Sequence, residues 1–130
     1  VTRLPAWPRL RTLSLLGLAI DDDDARGLAA APGLLLLDLG GTELTSTAAL
    51  APLRRLTTLG LSATRLDLPA VAALAALPRL RELGLASLGL RPDVLSVLAR
   101  FPALRQLDLR DNPIPPRQAA RALPHVTLAR

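Results

Sequence analysis

The chain of 130 residues has no cysteine, methionine, tyrosine or lysine, and Trp7 and Phe101 are its only aromatic residues. Without cysteine there can be no disulfide, thiolate metal site or cysteine nucleophile, and a reducing, cytoplasmic compartment is the expected setting. With two aromatics, the core has to be assembled from leucine, alanine and a few valines and isoleucines, which suits a layered architecture better than a compact globule. All basic side chains are arginine. The 16 of them against 11 acidic residues leave a net charge of +5, which permits an acidic partner without demanding one. The longest apolar run, Leu28 to Leu37, is broken by Pro32 and Gly33 and is too short for a bilayer, so no membrane partner is expected. No charged segment followed by an apolar one opens the chain, so no signal peptide is read. Without an initiator methionine the sequence reads as a domain excised from a longer protein.

What the chain has in abundance is leucine at fixed intervals. The stretch LRQLDLRDNPI runs from Leu104 to Ile114 and places apolar residues at Leu104, Leu107, Leu109 and Ile114. Neither an amphipathic helix nor a two-faced strand keeps that rhythm. Copies begin at Leu10, Leu34, Leu56 and Leu80, so that successive starts lie 24, 22, 24 and 24 residues apart, and a degenerate copy starts near Leu123 as LPHVTL. Inside each copy the core alternates with period two, as in Leu13-Ser14-Leu15, which sends both leucines to one side of a short strand. Alanine- and leucine-rich segments follow, over residues 22–31, 47–53, 69–77, 92–100 and 116–122, with start signals at Asp21 or Asp22, Ser46, Pro69, Pro92 and Pro116. Prolines 8, 32, 78 and 102 stand two residues before four of the five strand motifs and end the preceding helix, with Arg54 in that place before Leu56.

This pattern resembles the leucine-rich repeat, LxxLxLxxNxL. The acidic turn at Asp21 to Asp24 is similar to the helix starts of the ribonuclease-inhibitor-like type. The resemblance implies one α/β domain over residues 1–130: a leucine-rich repeat solenoid, forming a short horseshoe arc with a parallel concave sheet and convex helices. Residues from Leu4 to Arg9 read as the tail of an earlier repeat. At the asparagine position of the motif stand Leu18, Thr42, Thr64, Leu88 and Asn112. Leucine cannot hydrogen-bond there, so the backbone groups that asparagine serves need other partners. Richness in alanine, leucine and arginine without lysine points to a gene of high G+C content and a bacterial source.

The family binds through its open sheet face, so the resemblance implies a non-enzymatic scaffold for protein recognition, on its own or as the target-recognition domain of a larger multidomain effector or enzyme. The candidate contact residues are Asp38, Arg81, Glu82, Arg105, Gln106, Asp108, Arg110 and Asp111, with Leu16 and Leu36 as exposed apolar contacts. Thr127 is expected beside Asp108 in the last copy and His125 beside Gln106. Catalysis has little support. His125 is the single histidine, Ser14, Ser62 and Ser87 lie in separate repeats, and Asp38 and Asp108 are three strands apart, roughly 14 Å at 4.8 Å per strand. The run Asp21 to Asp24 lacks the alternate spacing of a calcium loop and is expected to cap a helix, so no metal or cofactor is expected. Arginines 9, 11, 54, 55, 79, 81 and 105 precede or open strands and should line one rim, but the scarcity of aromatics and the interspersed acids weigh against nucleic acid. Uncapped solenoid ends make a homodimer through the last strand an expectation.

Overall fold

Six short parallel strands form a single sheet in the computed structural model of the chain, which describes residues 7–129. They are β1 (Thr12–Ser14), β2 (Leu36–Asp38), β3 (Thr58–Gly60), β4 (Glu82–Gly84), β5 (Gln106–Asp108) and β6 (Thr127–Leu128), and their order in space is their order in sequence. The register sets Leu13, Leu37, Leu59, Leu83, Leu107 and Leu128 side by side. The repeat position expected to face inward therefore forms one continuous column. A second column, Leu39, Leu61 and Leu85, is buried next to it. The chain is a leucine-rich repeat solenoid, as the motif implied. Of the half repeat that precedes the first strand, Leu4 lies outside the described residues, while Trp7 packs on the core.

The convex side is built from shorter helices than the composition suggests. They are α1 (Asp22–Ala25), continued by a 3-10 turn (Arg26–Ala30); a lone 3-10 turn (Ala48–Leu50); α2 (Leu68–Ala73), continued by a 3-10 turn (Leu74–Ala76); α3 (Val94–Leu98); and α4 (Pro116–Ala122). Only α4 has the expected limits. A repeat of 22 to 24 residues must supply a strand, two reversals and the return path. A 3-10 turn advances about 2 Å per residue against 1.5 Å in an α-helix, and so spans the return with fewer residues. Leu28, Leu50, Val71, Leu74, Val94, Leu95 and Leu98 from these segments close the core against the strand leucines.

The start signals resolve residue by residue. Asp21 caps α1 in a reciprocal box: its carboxylate accepts from the Asp24 N–H at 2.9 Å, and the Asp24 carboxylate accepts from the Asp21 N–H at 3.1 Å. Asp22 reaches the next repeat instead, accepting from the Thr45 hydroxyl and the Thr45 and Ser46 N–H groups. Pro69 and Pro116 lie in first turns as expected, with Asp67 capping α2. Pro92 does not, because α3 starts later, at Val94.

Each strand leaves the sheet through the same backbone turn. Gly17, Gly41, Ala63, Ser87 and Asp111 occupy one repeat position and all have φ between 57° and 73°. Glycine adopts this left-handed conformation without cost, whereas Ala63 and Ser87 are held in it by the neighbouring turns, their N–H groups donating to Ala86 and Arg110 carbonyls. At the next position Thr42 and Thr64 donate to Leu39 and Leu61 carbonyls. Asn112 does more. Its Oδ1 accepts from the Leu88 and Leu90 N–H groups at 3.1 and 2.9 Å, and its Nδ2 donates to the Leu85 carbonyl at 2.9 Å. The backbone that Leu88 cannot serve is thus served by the following repeat. Leu18 at the same position is 50% exposed.

The last turn departs from the expected frame. The Val126 N–H donates to the Leu123 carbonyl at 3.1 Å, as Leu34 does to Ala31 and Leu56 to Leu53, so Val126 and not Leu123 holds the opening turn position, and the final copy is one residue short between that turn and its strand. Thr127 pairs with Gln106, which moves it out of the Asp108 column, and His125 falls before the strand. Pro124, two residues ahead of Val126, is the signal that marks this frame, since prolines 8, 32, 78 and 102 stand at the same offset.

Replacing Asn112 by alanine strands two N–H donors and a carbonyl and should lower stability by about 2–3 kcal/mol in urea unfolding. Thr64→Ala, which releases one carbonyl, should cost about 1 kcal/mol. Equal losses would show that the amide does not bridge the two turns.

Candidate functional site: the concave sheet face

The outward positions of the strands form the floor and walls of a shallow trough of about 430 Å³. Its lining includes Leu36, Asp38, Thr58, Gly60, Glu82, Gly84, Gln106, Asp108 and Thr127. The floor is low where two successive repeats carry glycine. A Cβ at Gly60 would lie 2.7 Å from Asp38 Oδ1, so glycine there makes room for a neighbouring carboxylate. Asp38 is fixed in that position by accepting from the Gly40 N–H at 3.0 Å. Gly40 in turn lies beneath Leu16, whose Cδ1 would be 2.9 Å from a Cβ at that residue. At the next step the Ser62 hydroxyl accepts from the Ala86 N–H at 3.0 Å, and the Thr58 hydroxyl donates to Glu82 at 3.1 Å.

The ten residues expected at the site fall into three groups. Leu36, Asp38, Glu82, Gln106 and Asp108 line the trough together. Leu16 flanks it and is 62% exposed, close in sequence or register to exposed Leu18, Leu35 and Leu36. Of the other four, only Arg110 bonds through its side chain to a described residue of the trough. Arg81 and Arg105 immediately precede β4 and β5 and lie on the rim. Arg110 folds back on Asp108, with Nε and Nη2 donating to the two carboxylate oxygens at 2.9 and 2.8 Å. Asp111 sits in the left-handed exit turn, 3.4 Å from the Ser87 hydroxyl. Gly60 and Gly84 were visible on this face but carried no signal as contacts, being notable only as glycines at one position of consecutive repeats.

Hydrogen bonds from the Arg110 guanidinium, working against burial, hold the Asp108 carboxyl below the usual carboxylate range, and Asp108 raises Arg110 in return. For Asp22, burial pushes the carboxyl up, but the three bonds from Thr45 and Ser46 prevail and hold it below its ordinary value. Asp21, Asp22 and Asp24 are thus engaged in joining backbone to backbone. Among the described residues no group of three or more His, Asp or Glu side chains is placed to hold a metal, and no helix is long and apolar enough to cross a membrane. Among the described residues, apolar side chains at both ends of the sheet are incompletely covered. At the C-terminal end Leu109, Ile114, Val126 and Leu128 border an opening of about 700 Å³, and at the other Trp7, Leu10, Leu13 and Leu15 are only half-buried.

No protein-family model matches the sequence, and no curated protein resembles it significantly. Solved structures do. Internalin C2 of Listeria monocytogenes superposes with a TM-score of 0.67 at 26% identity, over 92% of this chain and 52% of the internalin. Internalin F of the same organism gives 0.63 at 21% identity, over 93% of this chain and 41% of that one. Mouse RP105, in its complex with MD-1, gives 0.55 at 27% identity over 75% of this chain and 17% of the other. The chain spans about half or less of the length of each. These likenesses establish the leucine-rich repeat fold, the class of architecture that sheet and repeats define.

The packing of Asp38 over Gly60 predicts a coupling. Gly60→Ala should cost about 1–2 kcal/mol in the native background and about 0.5 kcal/mol or less when Asp38 is already alanine, measured as a double-mutant cycle in urea. Additive losses would show that the two positions do not meet. The Asp108 carboxyl is depressed in the folded state, so its contribution is complete above the unfolded value of about 3.9 and is lost as pH falls through the folded value. The stability gap between the native chain and Asp108→Asn should therefore stay level above about pH 5 and narrow progressively as pH falls below it. A constant gap would mean that the Arg110 pair is not what depresses the carboxyl.

Proposed function

We propose that the chain is a non-enzymatic recognition scaffold that binds a protein partner across its concave sheet. The observation that carries this reading is the trough itself: a glycine floor at Gly60 and Gly84 beside Asp38 and Glu82, flanked by exposed Leu16 and Leu36. A backbone-level floor lets a partner side chain approach closely, and exposed leucines on a rigid sheet supply the apolar area that binding surfaces need. The partner would set an apolar residue against the leucines and a cationic one over the two carboxylates. Support comes from the RP105 likeness, a repeat protein solved with a protein bound to it. We place the chain with the ribonuclease-inhibitor-like type on its acidic helix start, in a bacterium on its composition and the internalin likeness, and in the cytoplasm on its cysteine-free sequence.

A second reading is favoured by the open C-terminal opening bordered by Ile114, Val126 and Leu128. Here the arc is the target-recognition part of a larger multidomain effector or enzyme. Stacking of a second copy on β6 would cover the same opening.

The test is capture by immobilised protein. A partner retained by the native chain should be lost by Leu36→Glu with Asp38→Arg and kept by Ala72→Glu with Ala76→Glu, which alters the exposed convex side. Retention by the first variant and loss by the second would move the contact to the helices and overturn the reading.

A further inference from the structure

The turns that lead into the strands carry a charge pattern separate from the trough. Residues 7–11, 31–35, 53–57, 77–81, 101–105 and 123–126 include Arg9, Arg11, Arg54, Arg55, Arg79, Arg81, Arg105 and His125, and none of the 11 acidic residues. The carboxylates lie elsewhere: at helix starts (Asp21 to Asp24, Asp67, Asp93), at strand exits (Glu43, Asp111) and on the concave face. The solenoid is therefore polarised across its width, with one rim purely cationic. All seven arginines are exposed, and the ion pairs among the described residues, Arg26 with Asp23 and Arg110 with Asp108, are both away from this rim.

Two features narrow the rim to a patch. The Arg11 guanidinium lies against Gly33 and donates to the Pro8 and Leu10 carbonyls, so it is occupied. The second turn supplies Gly33 and Leu35 in place of arginine. What remains is Arg54 and Arg55, Arg79 and Arg81, and Arg105, on three consecutive turns. At about 4.8 Å per strand these cover roughly 10 Å. Like charges at that spacing repel, and an anion laid among them removes the repulsion.

We propose that this patch binds an extended acidic segment of a protein partner, with Arg55, Arg79, Arg81 and Arg105 taking its carboxylates. The guanidinium fork matches a carboxylate in two parallel hydrogen bonds, and the patch length suits a few acidic side chains. A nucleic acid fits it less well. No aromatic side chain is available for stacking, since Phe101 is 7% exposed and Trp7 sits at the first turn. A phosphate backbone crossing onto the sheet would also meet Glu82 and Asp38. The surface lies beside the trough and not in it, so the inference stands or falls independently of the concave-face reading.

The experiment is fluorescence anisotropy of a labelled oligoglutamate peptide titrated with the full chain at low ionic strength. Arg79→Ser with Arg81→Ser and Arg105→Ser should weaken binding about tenfold, as expected for three exposed charge contacts. Arg26→Ser with Arg91→Ser and Arg117→Ser changes net charge equally, away from the patch, and should change affinity by about twofold at most. Both triples should melt with the native chain. Independently of any variant, peptide added to the native chain should shift amide resonances at residues 79–82 and 103–106. Equal weakening by the two triples, absence of binding, or shifts confined to the concave face would overturn the proposal. So would rim-dependent binding of a charge-matched oligonucleotide or of phosphatidylserine vesicles tighter than that of the peptide, or loss of self-association in the rim triple, each of which assigns the rim to another anion.

Discussion

The structure depends on one constraint: a three-residue strand cannot bury its inward leucine alone. Leu59 is almost wholly buried because Leu37 and Leu83 flank it in register and the return segments cover it. Leu13 and Leu128 occupy the same position at the two ends and are only half-buried, having one neighbour each. Stability in such a stack is a chain of nearest-neighbour contacts. The inward column accepts leucine and little else, and the register it fixes determines where every outward side chain stands. Those outward positions are free of packing duty, which is why they differ from repeat to repeat.

Register alone does not satisfy the backbone where each strand turns away from the sheet. The same turn recurs five times, and the side chains that support it are not the same in every repeat. Threonine hydroxyls close the turn within their own repeat at Thr42 and Thr64, whereas Asn112 reaches back to the turn of Leu88, and Asp22 reaches forward to the turn at Thr45 and Ser46. These cross-repeat bonds join turns that the leucine columns have already brought together. Within the acidic run Asp22 alone takes this role, while Asp21 and Asp24 cap α1 and Asp23 pairs with Arg26.

The sheet was legible in the sequence because its signal is redundant: five copies in frame, each with paired leucines two residues apart. The helices were less legible. Alanine and leucine favour helix, but the short path between strand end and strand start selects 3-10 turns over part of it, a restriction on length that composition does not express. The last frame was misplaced because Leu123 mimics a motif start, although it occupies the place of Leu77 and Phe101, three residues earlier in the repeat. Within the site, Leu36, Asp38, Glu82, Gln106 and Asp108 could be placed from alternation alone. Arg110 could not, because its pairing with Asp108 depends on a side-chain rotamer that spacing does not reveal.

Arg81 and Glu82 are adjacent in sequence, as are Arg105 and Gln106, yet each pair divides between two surfaces. The second residue begins a strand and faces the trough, while the first ends the preceding turn and stands on the rim. A single step along the chain thus crosses from a cationic edge to a face bearing carboxylates, and repeat stacking extends both in parallel. A partner complementary to the trough presents a cation and apolar groups, and one complementary to the rim presents carboxylates. The same segment cannot satisfy both unless it carries the two chemistries in the order the sheet does, which makes the polarity across the solenoid a determinant of orientation as well as of affinity.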